Sequence, residues 1–456
     1  MAVNSNQTLN QMRNSKVAVV GLGLTGLSAI KYLLRHQIKP DVFDSREHLI
    51  MAEDHKDLIG DLNCQLGEFS DNQFNQYDFV IVSPGISLAT PALAKALREN
   101  DNVFCDVELF ARVNQKPVLA VTGSNGKSTV VAWLEHFLNS IGKKAVACGN
   151  YGVPVLDVID EEYDVFVLEL SSFQLESTNS LVCEAACVLN VTEDHLDRYE
   201  SFQHYSDAKN RIYKHAKKCL YNNNDFSTKP LISHDNVESF GSSEVCLDSN
   251  CWRYDERTQS LFLNDRELCN FKDFSVAGSH NALNALAVMA LLNALDIDLV
   301  KHIKNLYSFA GLPHRCQLIA THNDIRFVND SKATNVGSTE AALVGLATDK
   351  NIVLIAGGDA KGADLSELSG LIQSRVKKVV AFGKDAAQFS GFVEQENLTL
   401  VIELKDAVNK AISVASSGDI VLLSPACASI DMFKNYQQRG ELFKQYVTEF
   451  AQGGEL

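Results

Sequence analysis

Short runs rich in Val, Ile and Leu recur along the chain between amphipathic stretches, and this alternation restricts the fold more than any other feature. Continuous apolar runs of strand length suit strands buried on both faces, the situation in parallel sheets covered by helical crossovers. An α/β fold is predicted. The first group holds KVAVVGLG (Lys16 to Gly23), DVFD (Asp41 to Asp44) and DFVIVSPG (Asp78 to Gly85), with LTGLSAIKYLLRH as the helix after its first strand; it closes near Val113. The second opens at PVLAVTG (Pro117 to Gly123) and continues through AVACG, DVFVLEL and AACVLNV. Between about Cys246 and Leu268 the pattern turns polar and alternating, which predicts a small antiparallel portion, and His280 to Leu295 reads as a buried helix. A third group follows GLPHR: IRFVNDSKA, NIVLIAGGD, KVVAFG and DIVLLSPA, with a helix over Ala407 to Ala415. The expected domains are 1–113, 114–313 and 314–456, in keeping with roughly 100 to 200 residues per domain.

A formal charge of -16 without any contiguous Lys and Arg run argues against nucleic acid as a partner. The opening MAVNSNQTLNQMRNSKVAVVG lacks the apolar core of a signal peptide, and no segment approaches 18 uninterrupted apolar residues. A cytoplasmic protein without membrane insertion is expected. Eleven cysteines are scattered, the closest spacings being Cys183 to Cys187 and Cys246 to Cys251, so reduced thiols are expected rather than a disulfide or zinc framework.

The strongest chemical signal is VLAVTGSNGKST, an apolar strand that runs through Gly123, Ser124, Asn125, Gly126, Lys127, Ser128 and Thr129 into the helical VVAWLEHFLNS. Glycines let backbone N–H groups turn toward phosphate oxygens, the helix start adds positive potential, Lys127 can neutralise the outer phosphates, and a hydroxyl can bind Mg²⁺. The strict phosphate-loop expression fails, because Val121 stands where its first glycine belongs. Glu169 ends one strand and His195 follows another, so both should project at the carboxyl edge beside this turn, and Glu169 with Ser128 suits Mg²⁺. A strand-end His is by itself as readily structural, and Lys209, in the polar YSDAKNRIYKHAKK, as readily a solvated helix face. Asn281 and Asn284 in SHNALN share one helix face.

GLGLTG (Gly21 to Gly26) satisfies G-x-G-x-x-G between a strand and a helix, with Asp44 at the end of the second strand. Alone this says dinucleotide binding, and a nicotinamide oxidoreductase is the rival from another class. Hydride transfer has no need of a triphosphate loop in the next domain.

GLGLTGLS, SPGI, TGSNGKST, GNYG, LELSSFQLE, NVTEDHLDRY, HNALNA, GLPHR, NDSKATN, AGGDAKG, LLSPACAS and KNYQQRG, in that order over nearly the whole chain, resemble the Mur ligase family. The resemblance implies an ATP-dependent amide-forming ligase of peptidoglycan precursor synthesis, working with ATP and Mg²⁺, as a monomer. Its branch adding D-glutamate to UDP-N-acetylmuramoyl-L-alanine fits best, since the D-N-P-R motif of the diamino-acid branch is missing and a folate ligase would not need GLGLTG. On this resemblance the first domain holds the UDP-sugar: Leu24 and Thr25 meet the pyrophosphate region, Asp44, Ser45 and Arg46 the uracil-ribose end, Gly85 closes the pocket and Asn150 meets the muramoyl part. It also implies that His195 is a metal and substrate ligand, that Lys209 is the lysine carbamylated to bind a second Mg²⁺, and that Asn281 and Asn284 contact the nucleotide.

For the third domain, an Arg such as Arg315 can stabilise transferring phosphoryl charge, Asp330 can hold ribose hydroxyls and Lys332 can neutralise an acyl phosphate; surface ion pairing is the plain alternative. The resemblance assigns Thr334, Lys361, Ser429 and Tyr436 to D-glutamate, and it departs at Tyr436, where the family commonly carries Phe. A protein that hydrolyses ATP without making a bond is a further rival, distinguished by phosphate release that ignores the amino acid.

Overall fold

The computed structural model describes residues 5–48, 53–194, 198–242, 250–276, 278–347 and 349–453. They form a three-domain α/β protein built on three sheets. The first is fully parallel: β1 (Val17–Val20), β2 (Asp41–Asp44), β3 (Cys64–Leu66), β4 (Phe79–Val82) and β5 (Val103–Phe104), in the order β3-β2-β1-β4-β5. All four residues of β1 and of β4 are buried, which is why these segments lack a polar face.

The second sheet contains β6 (Val118–Thr122), β7 (Ala145–Gly149), β8 (Val165–Glu169), β9 (Ala185–Val188), β10 (Cys219–Asn222), β11 (Val237–Gly241), β12 (Cys251–Asp255), β13 (Ser260–Leu263) and β14 (Arg266–Asn270). Its order is β14-β13-β12-β11-β10-β9-β6-β8-β7, parallel from β7 to β12 and antiparallel only from β12 to β14. The antiparallel portion therefore falls where polar alternation predicts it; the part of that stretch from 243 to 249 lies outside the described residues. The helix Ser279–Asn293 is buried along Ala285 to Leu292, as its apolar composition requires.

The third sheet comprises β15 (Gln317–His322), β16 (Ile325–Asn329), β17 (Ile352–Ala356), β18 (Val376–Ala381), β19 (Leu398–Leu400) and β20 (Ile420–Leu423), ordered β15-β16-β20-β17-β18-β19. Only β15 is antiparallel. The edge strands β3, β5, β15 and β19 are not visible in the apolar pattern. They are two to six residues long, and β3, β15 and β19 are partly or wholly exposed, so burial does not demand a hydrophobic run.

By compactness the chain forms two units, residues 1–273 with 283–307, and residues 274–282 with 308–456. The first contains two of the three sheets. Its cores merge, because Val107, Leu109 and Phe110 from the helix Asp106–Val113 join Phe166 and Leu168 of β8 in one apolar cluster.

Candidate active site

Parallel sheets expose unpaired backbone groups and helix starts at the carboxyl ends of their strands, and the candidate residues gather there. After β6 the chain passes Gly123 at φ 149° and Gly126 at φ 85° before the helix Lys127–Ser140 begins. The positive φ favours glycine at Gly126, and a Cβ there would also lie 2.8 Å from Asn284 Oδ1, so that side chain would have to shift. The turn is held by the loop after β9. Asn190 accepts the Ser124 N–H on its carbonyl (2.9 Å) and the Asn125 N–H on its side chain (2.8 Å), and its amide donates to the Asn125 carbonyl. Ser124 Oγ lies 3.1 Å from both the Thr192 carbonyl and the Tyr205 hydroxyl.

Asn190, Thr192 and Tyr205 were not singled out by sequence reasoning. The available signal was that a buried glycine turn needs partners for its polar backbone.

Lys127 Nζ donates to the carbonyls of Gly123 (2.7 Å) and Ser124 (2.8 Å), and Lys209 Nζ donates to the same Gly123 carbonyl at 2.9 Å. Two lysines thus converge on one turn. Lys209 is 1% exposed, which removes the solvated-face reading of its helix Phe202–Asn210. Burial, then the neighbouring charge of Lys127, holds its ammonium well below the ordinary lysine range against the pull of Asp194 and Glu169. Ser128 and Thr129 are buried in the first turn of the helix that follows.

Glu169 ends β8, beside Val121 of β6, and is 2% exposed. Its Oε1 accepts from Asn150 Nδ2 at 2.7 Å, and the Asn150 N–H donates to the Glu169 carbonyl at 2.9 Å. Its Oε2 is buried without a hydrogen-bond partner among the described residues. Such an oxygen is costly unless a cation or donor meets it, so the residues present fit a hard metal ion. Carboxylate and hydroxyl oxygens are the hard donors that suit Mg²⁺. His195 lies outside the described residues.

In the first sheet, Gly21 takes φ 99°, and a Cβ on Gly26 would stand 1.7 Å from the Gly21 carbonyl oxygen. Ser83, after β4, donates to that same carbonyl at 3.0 Å. Asp44 accepts the Leu22 N–H (2.7 Å), the Arg46 N–H (3.0 Å) and two guanidinium donors of Arg46 at 2.8 Å. Burial alone would raise this carboxyl, but Arg46 and the two amides outweigh it and hold it below the usual range. Leu24 is 79% exposed at the start of its helix, Thr25 is half-buried, and Ser45 and Gly85 are exposed around the turn.

The second compact unit carries the remaining candidates. Asp330 follows β16 and is buried, its oxygens accepting from the Cys316 N–H (3.1 Å) and the Ser424 hydroxyl (2.8 Å); burial raises it to about 6. Lys332 Nζ sits 4.1 Å over the Tyr436 ring, a cation–π contact that needs no hydroxyl from the ring. Lys361, after β17, is exposed and holds φ 52°, its N–H donating to Asp359 at 2.9 Å; Ser429, beyond β20, is buried, and Thr334 is half-buried. Lys332, Thr334, Lys361 and Ser429 thus all follow carboxyl ends of adjacent strands. His280 is pushed down to about 4 by burial and then by Arg315, so its imidazole is neutral. Asn281 belongs to this unit, whereas Asn284, on the same helix, belongs to the first.

Arg439 was missed by sequence reasoning. It is fully buried and donates to Ser331 Oγ (3.0 Å), the Ser331 carbonyl (2.8 Å) and the Cys427 carbonyl (3.2 Å), tying the loop after β16 to the loop after β20. Burial lowers it to about 10.

Three family models match in chain order: "Mur ligase MurD-like, N-terminal domain" over residues 15–105, "Mur ligase middle domain" over 121–292 and "Mur ligase, glutamate ligase domain" over 314–427. A protein of Pseudoalteromonas translucida named UDP-N-acetylmuramoylalanine–D-glutamate ligase is 43% identical, covering 96% of this chain and 98% of the relative. MurF from Acinetobacter baumannii superposes with a TM-score of 0.61 at 18% identity, covering 97% and 98% of the two chains. MurF ligase from Thermotoga maritima, solved in complex with ADP, gives a TM-score of 0.56 at 17% identity and covers 98% of each. These two structures share the fold.

Proposed function

We propose that this chain, which belongs to the Mur ligase family, is an ATP-dependent ligase that joins D-glutamate to UDP-N-acetylmuramoyl-L-alanine in peptidoglycan precursor synthesis. The observation that carries the reading is the convergence at one sheet edge of Lys127, buried Lys209 and a Glu169 oxygen with no hydrogen-bond partner among the described residues. The full-length relative supplies the substrates.

A free carboxylate resists attack by an amine, so the L-alanyl carboxylate first attacks the γ-phosphorus of ATP, giving an acyl phosphate and ADP. The uncharged amine of D-glutamate then attacks the acyl carbon; it loses a proton, and phosphate leaves with the former carboxylate oxygen. Most of the rate comes from positioning and charge stabilisation. Lys127 and the backbone of Gly123 to Thr129 hold the ATP phosphates, chiefly through the amides from Gly126 onward, since those of Ser124 and Asn125 already donate to Asn190. The family resemblance also gives Asn281, Asn284, Arg315, Asp330 and Lys332 to the nucleotide. Ser128, Glu169, His195 and a carbamylated Lys209 would hold Mg²⁺, which neutralises the charge gathered on the phosphates. An amine buried and biased toward its neutral form, as Lys209 is, can take up carbon dioxide with loss of one proton, which converts a misplaced cation into an anionic ligand.

Leu24, Thr25, Asp44, Ser45, Arg46, Gly85, Asn150 and His195 form the UDP-sugar site. Lys361 pairs with a D-glutamate carboxylate, aided by Thr334, Ser429 and Tyr436. These roles divide among domains bounded near 113 and 313. The reaction belongs to the cytoplasm; no helix among the described residues is long and apolar enough to cross a membrane.

The test is phosphate release from ATP with UDP-N-acetylmuramoyl-L-alanine, comparing D-glutamate with L-glutamate, L-alanine and diaminopimelate. Stimulation by D-glutamate alone is expected. Release that ignores the amino acid would remove the ligase reading.

A further inference from the structure

The segment after His195 contains an arginine that the reaction as described does not use. Arg198 donates to the Pro84 carbonyl at 3.2 Å and to Glu176 Oε2 at 3.0 Å, and its guanidinium lies 3.9 Å over the Phe173 ring. Pro84 follows β4, immediately before Gly85, whereas Phe173 and Glu176 belong to the helix Ser172–Glu176 that starts just beyond Glu169. One side chain therefore spans the first sheet and the second. The other carboxylate oxygen of Glu176 accepts the Tyr199 hydroxyl at 2.6 Å. Tyr199 is buried, stacks on Phe173 at 6.0 Å and 20°, and packs 5.2 Å from Tyr205, whose hydroxyl meets Ser124 of the phosphate turn at 3.1 Å. The contacts run without a break from Pro84 to Ser124.

We propose that Arg198 is a positioning residue that, with Glu176 and Tyr199, fixes the Ser83–Ile86 turn against the phosphate turn and so sets where the acceptor carboxylate meets the γ-phosphate. The proposal rests on the reading that Gly85 closes on the UDP-sugar and that Gly123 to Thr129 holds ATP. Arginine suits the task and lysine does not. Two separated acceptors and a ring face are engaged at once by one planar, forked group, whereas the compact ammonium of a lysine lacks the spread to reach both acceptors in that geometry while lying flat on the ring. The pair is partly buried, at 15% and 21% side-chain exposure, so it is held in a defined geometry. In-line phosphoryl transfer is sensitive to such geometry, an error of about 1 Å costing on the order of 100-fold.

The experiment compares full-length Arg198→Lys and Glu176→Gln with the unaltered enzyme in D-glutamate-dependent phosphate release, with ADP affinity by calorimetry and melting temperature measured alongside. The expected result is kcat lower by about 10- to 100-fold and KM for the UDP-sugar raised, while ADP affinity stays within about 2-fold. The double variant should be little worse than either single one, since both remove the same connection. Unchanged kcat and UDP-sugar KM in Arg198→Lys would overturn the proposal, as would losses that merely follow a lowered melting temperature and disappear when Arg198→Met is assayed well below its melting point. Calorimetry on the unaltered enzyme separates the two failures: if it binds neither ADP nor the UDP-sugar, the site reading has failed irrespective of Arg198.

Discussion

Two glycine turns, one after β1 and one after β6, begin from the same local recipe and end as different chemical instruments. Both follow a buried parallel strand, both place glycine at positive φ, and both lead into a helix. Around Gly21 to Gly26 the protein brings its own anion: Asp44 already accepts the Leu22 N–H, and its charge is matched by Arg46. Around Gly123 to Thr129 it brings lysines, Lys127 and the buried Lys209 whose amine is biased toward its neutral form, with Glu169 behind them. A turn with a carboxylate at its mouth suits the hydroxyls of a ribose, with the helix start left for a diphosphate. A turn with Lys127 at the start of its helix suits the concentrated charge of a triphosphate. The glycines give the backbone path in each case, and the residues arriving from neighbouring strands decide the ligand.

The largest expected effect would break this contrast if it failed. Lys127→Ala should reduce substrate-dependent phosphate release by about 1,000-fold or more while UDP-sugar affinity, measured by calorimetry, changes by less than about 2-fold. Loss of both ligands together would mean that the turns do not act separately. A smaller effect, on the order of 100-fold, is expected for Lys209→Met. Activity of the unaltered enzyme should fall in carbonate-free buffer and return with bicarbonate, and the variant should ignore both; equal responses would show that the amine acts unmodified.

Gly26→Ala sharpens the contrast from the other side. Its Cβ would overlap the Gly21 carbonyl at 1.7 Å, a backbone atom that cannot swing away. A loss of about 2 to 3 kcal/mol in unfolding free energy is expected, with KM for the UDP-sugar raised about tenfold and ADP affinity kept.

The smallest effect concerns the joint between the two sheets. Asp106, which opens the helix after β5, is raised by burial from 3.8 to about 7, countered only in part by backbone amides and Gln174. Its contribution to stability is complete below 3.8 and is lost as pH rises through about 7. Melting curves of Asp106→Asn should therefore gain on the unaltered protein between pH 5 and pH 8, by on the order of 2 kcal/mol. A constant difference across that range would place the carboxyl in water.

Much of the first two sheets was legible because burial on both strand faces leaves no choice but apolar residues, and the turns were legible because only glycine takes their φ. Lys209 shows where legibility ended. Its helix is polar enough to be an exposed face, and it is the fold that brings Tyr205 and the Gly123 carbonyl against its amine. Arg439 was equally silent, since a buried arginine bonded to backbone carbonyls leaves no pattern in its neighbours. The edge strands β3, β15 and β19 escaped notice because they need to bury so little, and β5 because it is only two residues long.

What the amino-acid order by itself determined was the succession of strands, glycine turns and helices, together with the chemistry of Lys127 and Glu169, all fixed by local periodicity and residue type. What only the tertiary structure decided was which distant groups converge: Asn190 on the phosphate turn, Asn150 on Glu169, Arg198 between Pro84 and Glu176. Such pairings depend on strand order and register, and these are settled by packing across the whole sheet rather than by any short segment.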